Sequence, residues 1–237
     1  MTRPAAIVAG ASSGIGRATA VALAARGFDL AICARRGEQL EETARMARAQ
    51  CPEGRIFTRV VDIGAPGAAT QFAAASAAEL GRIETLVYAA GDAPAIPVSR
   101  TTRSEFDRVM AVNAGGASEL VAACWDGLLA QGRGCVVLLS SLSASDPFPN
   151  FLAYAAAKGA LSSIARALHA EGRAHGVRAF AIELGGVETA LLRRLVSEAE
   201  WPSSQTLSPE EVAAVVIDCI SGKRDSDCGH PFPLMRT

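Results

Sequence analysis

Short apolar runs alternate along this chain with longer amphipathic or alanine-rich stretches. There are six such runs, from AAIVAG near the N-terminus to VRAFAIEL. They are apolar throughout and do not alternate with polar residues, which is typical of parallel strands covered on both faces. Six strand–helix units predict an α/β fold built on a doubly wound parallel sheet with right-handed crossovers.

The apolar runs predict strands at 5–10, 28–34, 55–62, 84–91, 134–141 and 177–184. The longer stretches predict helices at 14–27, 38–50, 65–81, 102–131, 153–175 and 208–220. Ser208 is the predicted N-cap of the last helix, and Pro209 its first residue. We expect the strand order 3-2-1-4-5-6. The tail DSDCGHPFPLMRT is too rich in proline for a central strand, so it adds at most a short seventh strand at the edge.

The composition is that of an ordinary globular protein: half of the residues are hydrophobic, a fifth are charged and the net charge is −1. Such a balance excludes a strongly basic nucleic-acid surface or membrane patch. No apolar run reaches the ~18 residues of a membrane span, and the N-terminus lacks the pattern of a signal peptide. We therefore expect a cytoplasmic protein with no nucleic-acid partner and no membrane partner.

The six cysteines form no Cys-x-x-Cys pair and are expected to be buried, without a metal site. No repeat or linker divides the chain, so we predict a single domain over residues 1–237.

A glycine-rich segment, AGASSGIG, follows the first predicted strand and opens the first predicted helix. Gly10 allows a sharp turn, while Gly14 and Gly16 allow the backbone to approach a pyrophosphate and the helix to pack closely. The amides at the start of that helix then face an anion. The segment is therefore interpreted as the phosphate loop of a Rossmann fold, although glycine spacing alone is also compatible with a structural turn.

Two arginines, Arg35 and Arg36, end the second predicted strand, where a dinucleotide site places the residue that recognises the ribose. An acid there binds the ribose hydroxyls of NAD, whereas a guanidinium binds the 2′-phosphate of NADP. The pair therefore predicts NADP(H) as cofactor. Two solvated surface arginines are the alternative.

Tyr154 and Lys158 in YAAAK are four residues apart and so lie on the same face of a predicted helix. This chain has only two lysines among its 23 lysines and arginines, so a lysine at this position is notable. An ammonium group beside the phenol would lower the pKa of Tyr154. Tyr154 is therefore a candidate general acid or base.

Ser141 ends the fifth predicted strand, at the sheet edge where open α/β sheets bind ligands. Its hydroxyl is a candidate donor to a substrate carbonyl, with Ser140 and Ser143 as rivals. Asn113 lies inside the predicted helix 102–131, where asparagine is mildly unfavourable. A local kink or a solvated side chain would explain it without a catalytic role.

Together, these motifs resemble the short-chain dehydrogenase/reductase family, from about residue 5 to residue 221. The resemblance implies that Tyr154 exchanges a proton with the carbonyl oxygen and that Ser141 orients the carbonyl. It also implies that Lys158 lowers the pKa of the tyrosine and binds the nicotinamide ribose, and that Asn113 holds a water linked to Lys158. The implied cofactor-binding set is Gly10, Ser12, Ser13, Gly14, Ile15, Gly16, Arg35, Arg36, Asp62, Ile63, Ala89, Ala90, Gly91, Tyr154, Lys158, Gly186, Val187 and Thr189.

The chain departs from the family pattern in lacking the usual glycine-rich C-terminal ending, and also at three further places. Ala9 replaces a threonine, YAAG at 88–91 replaces Asn-Asn-Ala-Gly, and Gly185-Gly186 replaces Pro-Gly. The second change removes side-chain hydrogen bonds between strands, and the third predicts a more mobile loop after the sixth strand.

The expected function is NADP(H)-dependent reduction of a carbonyl to an alcohol, or the reverse, by hydride transfer. An epimerase or dehydratase on the same scaffold and a non-catalytic cofactor-binding sensor are the alternatives. Residues 187–207 are the predicted substrate lid. The candidate substrate contacts are Ser143, Phe148, Phe151, Leu191, Leu192 and Trp201. Arg193 and Arg194 are candidates for binding an anionic substrate, although an amphipathic surface helix is the favoured interpretation of that stretch. The alanine-rich helix at Tyr154 predicts a homodimer or homotetramer.

Overall fold

Seven parallel strands form a single sheet in the computed structural model, which describes residues 3–236. Their order is β3-β2-β1-β4-β5-β6-β7, so the predicted α/β class and strand order are confirmed. The strands are β1 (Ala5–Ala9), β2 (Asp29–Ala34), β3 (Ile56–Val60), β4 (Thr85–Tyr88), β5 (Gly134–Ser141), β6 (Val177–Leu184) and β7 (Phe232–Leu234). The proline-rich tail does form the short edge strand β7, which pairs with β6 in parallel.

Helices cover both faces of this sheet. They are α1 (Gly14–Ala24), α2 (Gly37–Gln50), α3 (Ala68–Leu80), α4 (Arg103–Met110), α5 (Gly116–Ala130), α6 (Leu152–Gly172), α7 (Ala190–Arg193) and α8 (Pro209–Ile220). Within residues 3–236, no helix combines the length and the apolar character needed to cross a membrane.

The hydrophobic core has two layers, one on each face of the sheet. Successive strand residues point to opposite faces, so Ile7 and Val8 of β1 belong to different layers. Leu30 and Phe180 lie in the layer beneath α1, α2 and α8. Phe72 lies in the other layer, beneath α3, α5 and α6. Burial on both faces explains why the strands are apolar throughout.

Capping boxes set the start of two helices. Ser208 accepts a hydrogen bond from the Glu211 amide (3.1 Å), and the Glu211 carboxylate accepts one from the Ser208 amide (2.7 Å). Pro209 occupies the first turn of α8, so both predicted start signals of this helix are confirmed. Thr102 and Glu105 form the equivalent box at α4. Each box satisfies amides that have no partner within the helix.

The predicted long helix at 102–131 is interrupted. A π-helical segment, Ala111–Gly115, separates α4 from α5 and carries Asn113. The Asn113 side chain is completely buried, so a solvated side chain does not explain its place in the helix. The wider π turn is the local distortion, and such turns are frequent at functional sites.

Tyr88 compensates for part of the missing Asn-Asn-Ala-Gly motif. It is almost fully buried, and its hydroxyl donates to the Val112 carbonyl (2.7 Å). A Cβ at position 116 would lie 2.5 Å from this hydroxyl, so Gly116 leaves the room that Tyr88 needs. The end of β4 is thereby joined to the π-helical segment by a side chain of different chemistry.

Candidate active site

Two adjoining cavities open at the carboxyl edge of the sheet. A groove of about 280 Å³ runs along the glycine loop, and a cavity of about 590 Å³ lies in front of Tyr154. The residues that line both are Ile15, Ala89, Gly91, Thr189 and Leu191. A ligand in the groove therefore reaches the cavity without crossing protein.

The backbone of the glycine loop passes so close to the segment after β4, and to its own first turn, that side chains would not fit. The amides of Gly10 and Ala11 donate to the Cys33 carbonyl (2.9 and 3.1 Å). A Cβ at position 10 would lie 2.5 Å from the Ala90 nitrogen, and one at position 16 would lie 2.2 Å from the Gly10 oxygen. Gly10 also has a φ of 85°, which favours glycine. The loop therefore requires its glycines, and it presents the N-terminus of α1 to the groove.

The groove brings together most of the predicted cofactor residues. Its lining includes Gly10, Ser12, Ser13, Gly14, Ile15, Gly16, Arg35, Arg36, Asp62, Ile63, Ala89, Ala90, Gly91 and Thr189. Gly186 and Val187 line the larger cavity, together with Tyr154 and Lys158.

The two arginines after β2 differ in their contacts. Arg36 donates to the hydroxyls of Ser12 (3.0 Å) and Ser13 (2.5 Å), so its guanidinium lies across the glycine loop. Arg35 is exposed at the groove, and among residues 3–236 its guanidinium makes no hydrogen bond or ion pair. The acids that line the groove are Asp62 and Asp92, and neither belongs to the end of β2. The position that would bind ribose hydroxyls through a carboxylate is therefore basic.

Tyr154, Lys158, Ser141 and Asn113 converge on the larger cavity. Tyr154 and Lys158 are on α6, Ser141 is the last residue of β5, and Asn113 is in the π-helical segment. The Lys158 ammonium lies 5.5 Å from the centre of the Tyr154 ring. Four residues from three parts of the chain thus line the space where a substrate would meet the groove.

The predicted lowering of the tyrosine pKa is wrong for this structure. Burial raises the pKa of Tyr154, and a hydrogen bond with Ser141 opposes part of that rise. The ammonium of Lys158 donates to the Leu139 carbonyl (2.7 Å) instead of to the phenol. The Tyr154 phenol is therefore protonated near neutral pH.

Lys158 is a buried cation. Its side chain is almost inaccessible, and desolvation lowers the pKa of its ammonium from 10.5 to about 8. Charged groups are costly to bury, and perturbed groups of this kind cluster at functional sites.

Ser141 is held in place by a neighbour that was itself a candidate contact. The Ser143 hydroxyl and amide both donate to the Ser141 oxygen (3.0 and 3.2 Å). Ser143 is buried and does not line either cavity, so its predicted substrate contact is corrected to a bracing role. The rival Ser140 donates to the Lys158 carbonyl (2.8 Å). Ser140 also lines the larger cavity, but Ser141 is the serine of this group whose side chain bonds to Tyr154.

Asn113 joins the π-helical segment to the loop after β4. Its side-chain nitrogen donates to the carbonyls of Asp92 (2.8 Å) and Val109 (2.9 Å), and its side-chain oxygen accepts from the Asp92 amide (3.3 Å). Gly91 passes so closely that a Cβ there would lie 2.7 Å from the Asn113 oxygen. The side chain of Asn113 therefore forms part of the wall of the larger cavity, beside Lys158.

The remaining predicted substrate contacts form an apolar wall. Phe148, Phe151, Leu191, Leu192 and Trp201 all line the larger cavity. The segment that carries the last three is closed at its base, because Val187 and Leu207 form a parallel bridge. The Glu188 amide donates to the Leu207 carbonyl (2.8 Å), and the Leu207 amide to the Gly186 carbonyl (2.9 Å).

The two lid arginines pair with carboxylates of the protein. Arg193 pairs with Glu188 and Glu198. Arg194 pairs with Asp92 (3.0 Å), which also binds Arg108 (3.1 Å). Neither guanidinium is directed into the larger cavity, so the anion-binding candidates are corrected to ion pairs within the lid and across the groove.

Sequence reasoning named Arg194 but missed its partner Asp92 and the two tail residues Met235 and Arg236. Asp92 and Arg194 meet across the groove, whereas Met235 and Arg236 of the tail line the larger cavity. The one sequence signal for the tail is the glycine in place of proline at position 185, whose amide donates to the Leu234 carbonyl (2.9 Å). The substitution uses the amide that proline lacks, and the extra mobility of this loop stays a prediction.

A parallel sheet with a glycine loop at one edge, next to a cluster of Tyr154, Ser141 and the buried Lys158, is typical of a dinucleotide-dependent site. The family model of the short chain dehydrogenases matches residues 4–200. The chain therefore belongs to the short chain dehydrogenase family, as the motifs predicted.

Relatives of this chain include reductases. It is 33% identical over 218 residues to the glycine betaine reductase ATRR of Emericella nidulans, covering 90% of this chain but 17% of that protein. It is 28% identical over 210 residues to the levodione reductase of Leifsonia aquatica, covering 88% of this chain and 78% of that one. This chain thus corresponds to a small part of one relative and to most of the other.

Solved structures share the fold over nearly the whole chain. The crystal structure of levodione reductase has a TM-score of 0.90 at 26% identity, covering 99% of this chain and 97% of that one. A short chain dehydrogenase from Mycobacterium paratuberculosis bound to NAD has a TM-score of 0.87 at 26% identity, covering 98% and 96%. An NADPH-bound short chain oxidoreductase from Pseudomonas aeruginosa PAO1, with an atypical catalytic centre, has a TM-score of 0.87 at 27% identity, covering 99% and 97%. Both nicotinamide cofactors therefore occur among the structural neighbours.

Burial of Lys158 predicts a pH-dependent stability. Between about pH 8 and pH 10.5, the unfolded chain keeps the lysine proton while the folded chain releases it. The contribution of Lys158 to the free energy of unfolding therefore rises with pH across this window, by roughly 2–3 kcal/mol. Denaturant unfolding of the wild type and of Lys158→Met, at several pH values, measures this contribution. The difference between the two proteins cancels the titration of the cysteines and Tyr88, and a pH-independent difference would contradict the prediction.

Proposed function

We propose that this protein is an NADP(H)-dependent oxidoreductase that reduces a carbonyl of a small molecule to an alcohol, or catalyses the reverse reaction. The observation that carries this proposal is the convergence of Ser141, Tyr154 and Lys158 on a cavity that adjoins the glycine-loop groove. The family membership supports the same reaction class.

The groove suits a dinucleotide. The glycine loop leaves no room for a Cβ at positions 10 and 16, so backbone amides rather than side chains face a bound pyrophosphate. Arg35 and Arg36 would hold a 2′-phosphate, Asp62 and Ile63 would border the adenine, and Lys158 would bind the nicotinamide ribose. Val187 and Thr189 would contact the carboxamide. The bound nicotinamide would supply the hydride that adds to the carbonyl carbon.

Residues of the chain would orient the carbonyl and transfer a proton to its oxygen. Ser141 donates a hydrogen bond to the carbonyl oxygen and so orients the carbonyl against the groove. Tyr154 transfers its hydroxyl proton to that oxygen, forming the alcohol and a phenolate. Burial raises the pKa of the resting phenol, but once the phenolate forms, the nearby positive charge of Lys158, 5.5 Å from the ring centre, would stabilise it until a proton returns from solvent. In the oxidation direction the same residues act in reverse order.

Tyr154→Phe tests the proton transfer. The variant keeps the ring and loses the hydroxyl, so turnover should fall by roughly 10²–10⁴-fold while the cofactor binds as in the wild type. NADPH oxidation across ketones, quinones, keto acids and keto sugars measures turnover, and nucleotide fluorescence measures binding. Turnover in the variant equal to that of the wild type would overturn the assignment of Tyr154. Substrate conversion without net cofactor oxidation would indicate an epimerase or dehydratase instead.

Arg35→Ala tests the preference for NADP(H). Because Arg35 is free at the groove and Arg36 is bonded to the loop, loss of Arg35 should weaken NADPH binding by roughly 10- to 100-fold and leave NADH binding unchanged. Arg26→Ala removes an equal charge from an exposed site at the end of α1 and serves as control. The test measures the dissociation constants of NADPH and NADH for the wild type and for both variants. Tighter binding of NADH than NADPH by the wild type would contradict the proposal.

We also propose a homodimer or homotetramer that associates through the α4–α5 and α6 surfaces. The exposed face of α6 carries small residues such as Ala156, which permit close approach of a second helix. Multi-angle light scattering should give a multiple of the 24.4 kDa chain mass, and a monomer would refute this part.

The location proposed is the cytoplasm. All six cysteines are free thiols, as is usual in a reducing compartment. Fractionation of the producing cells tests the location.

A further inference from the structure

The C-terminal tail ends beside the larger cavity. β7 pairs with the last residues of β6, with Leu184 opposite Leu234. Met235 and Arg236 follow directly, at the same sheet edge as Ser141, and both line the cavity. The Met235 side chain is half-exposed, and the surface that it leaves uncovered borders this cavity.

Gly185 makes this docking possible in two ways. Its amide donates to the Leu234 carbonyl (2.9 Å), which extends the β6–β7 pairing by one bond. A Cβ at position 185 would lie 2.8 Å from the Met235 Cβ, so any larger residue would push the tail away. Proline, which the family pattern has here, would lack the donor and fill the space.

Arg236 fastens the end of the tail. Its Nε donates to the Thr206 carbonyl (2.9 Å), and its Nη2 contacts both carboxylate oxygens of Glu211 (2.7 Å each). Thr206 lies near the end of the lid segment 187–207, and Glu211 belongs to the capping box of α8. The tail, the base of the lid and α8 are therefore held together, and Met235 is fixed between the two anchors.

The cavity offers an anionic substrate little compensation. Its charged lining residues are Lys158 and Arg236. The first donates to the Leu139 carbonyl, and the second is paired with Glu211. A carboxylate in this cavity would lose its hydration, and a bond to Arg236 would compete with the existing ion pair to Glu211.

We propose that Met235 is a specificity-determining residue: it forms the wall against which the apolar flank of an uncharged ketone packs. This inference rests on the proposed function for the identity of the reacting group. Met235 is unbranched and adaptable, so its side chain adjusts the width of the cavity without disturbing Tyr154 or Ser141.

Binding of ketones tests the wall independently of turnover. The chain has two tryptophans, and Trp201 lines the cavity, so Trp125→Phe leaves Trp201 as the only reporter. In this background, fluorescence titrations with 2-pentanone, 2-octanone and 2-oxooctanoate are compared for Met235, Met235→Ala and Met235→Phe, with and without NADP⁺. Pro233→Ala is the matched control, because Pro233 is an exposed tail residue outside the cavity lining.

We expect Met235→Ala to raise the preference for 2-octanone over 2-pentanone by roughly three- to tenfold and Met235→Phe to lower it. Pro233→Ala should leave it unchanged, and the wild type should bind 2-octanone at least about tenfold more tightly than 2-oxooctanoate. An unchanged preference in both Met235 variants, equal binding of the keto acid, or no fluorescence response to any ketone would each overturn the inference.

The outcomes separate this inference from the proposed function. If ketones bind in a way that depends on Met235 but no carbonyl oxidises NAD(P)H, the oxidoreductase proposal is refuted. The proposed contact between Met235 and the ketone then still stands. Turnover of ketones with rates and affinities indifferent to Met235 would refute the wall alone.

Discussion

Attachment of α6 to β5 through both ends of Lys158 is the interaction on which the site depends. The ammonium donates to the Leu139 carbonyl, and the backbone carbonyl of Lys158 accepts from the Ser140 hydroxyl. These bonds fix the height of the helix against the strand, and therefore the position of Tyr154 relative to Ser141. Ser140 further contacts Ser162 (3.2 Å), whose hydroxyl donates to Glu183 of β6 (2.9 Å). The arrangement includes a desolvated ammonium, which is the kind of local cost that folds carry at functional sites.

The departures from the family pattern are compensated by chemistry of a different kind. Tyr88 replaces an asparagine and reaches the Val112 carbonyl, so the strand is still joined to the segment that carries Asn113. Gly185 replaces a proline and uses the amide that proline lacks, so the tail joins the sheet. The first substitution retains a connection with a different bonding partner, and the second adds a hydrogen bond that proline could not donate. The structural effect of a residue that departs from a motif is therefore best read from the hydrogen bond that the residue makes.

The fold could be predicted from the sequence because the period of the apolar runs and their order determine a parallel sheet. The side chains that line the candidate site could be predicted because they stand at strand ends or one helical turn apart, as Ser141, Tyr154 and Lys158 do. Other features depend on distances that no local pattern encodes. The π turn at Asn113, the bracing of Ser141 by Ser143 and the raised pKa of Tyr154 all follow from packing between distant segments. The pKa was predicted with the wrong sign because the lysine was counted as a charge and burial of the phenol was not.

The arginines of the lid and the tail form ion pairs within the protein, so we propose that the substrate body is recognised by shape and not by charge. Arg194 reaches across the groove to Asp92, Arg193 is paired within the lid, and Arg236 ties the tail to α8. Each of these guanidinium groups is already matched by a carboxylate, so binding an anion would require breaking an existing pair. Arg35 is the contrasting case, since it faces the groove without a partner among residues 3–236. This pairing pattern supports the proposals that charge selects the cofactor in the groove and that shape selects the substrate in the cavity formed by the lid and the tail.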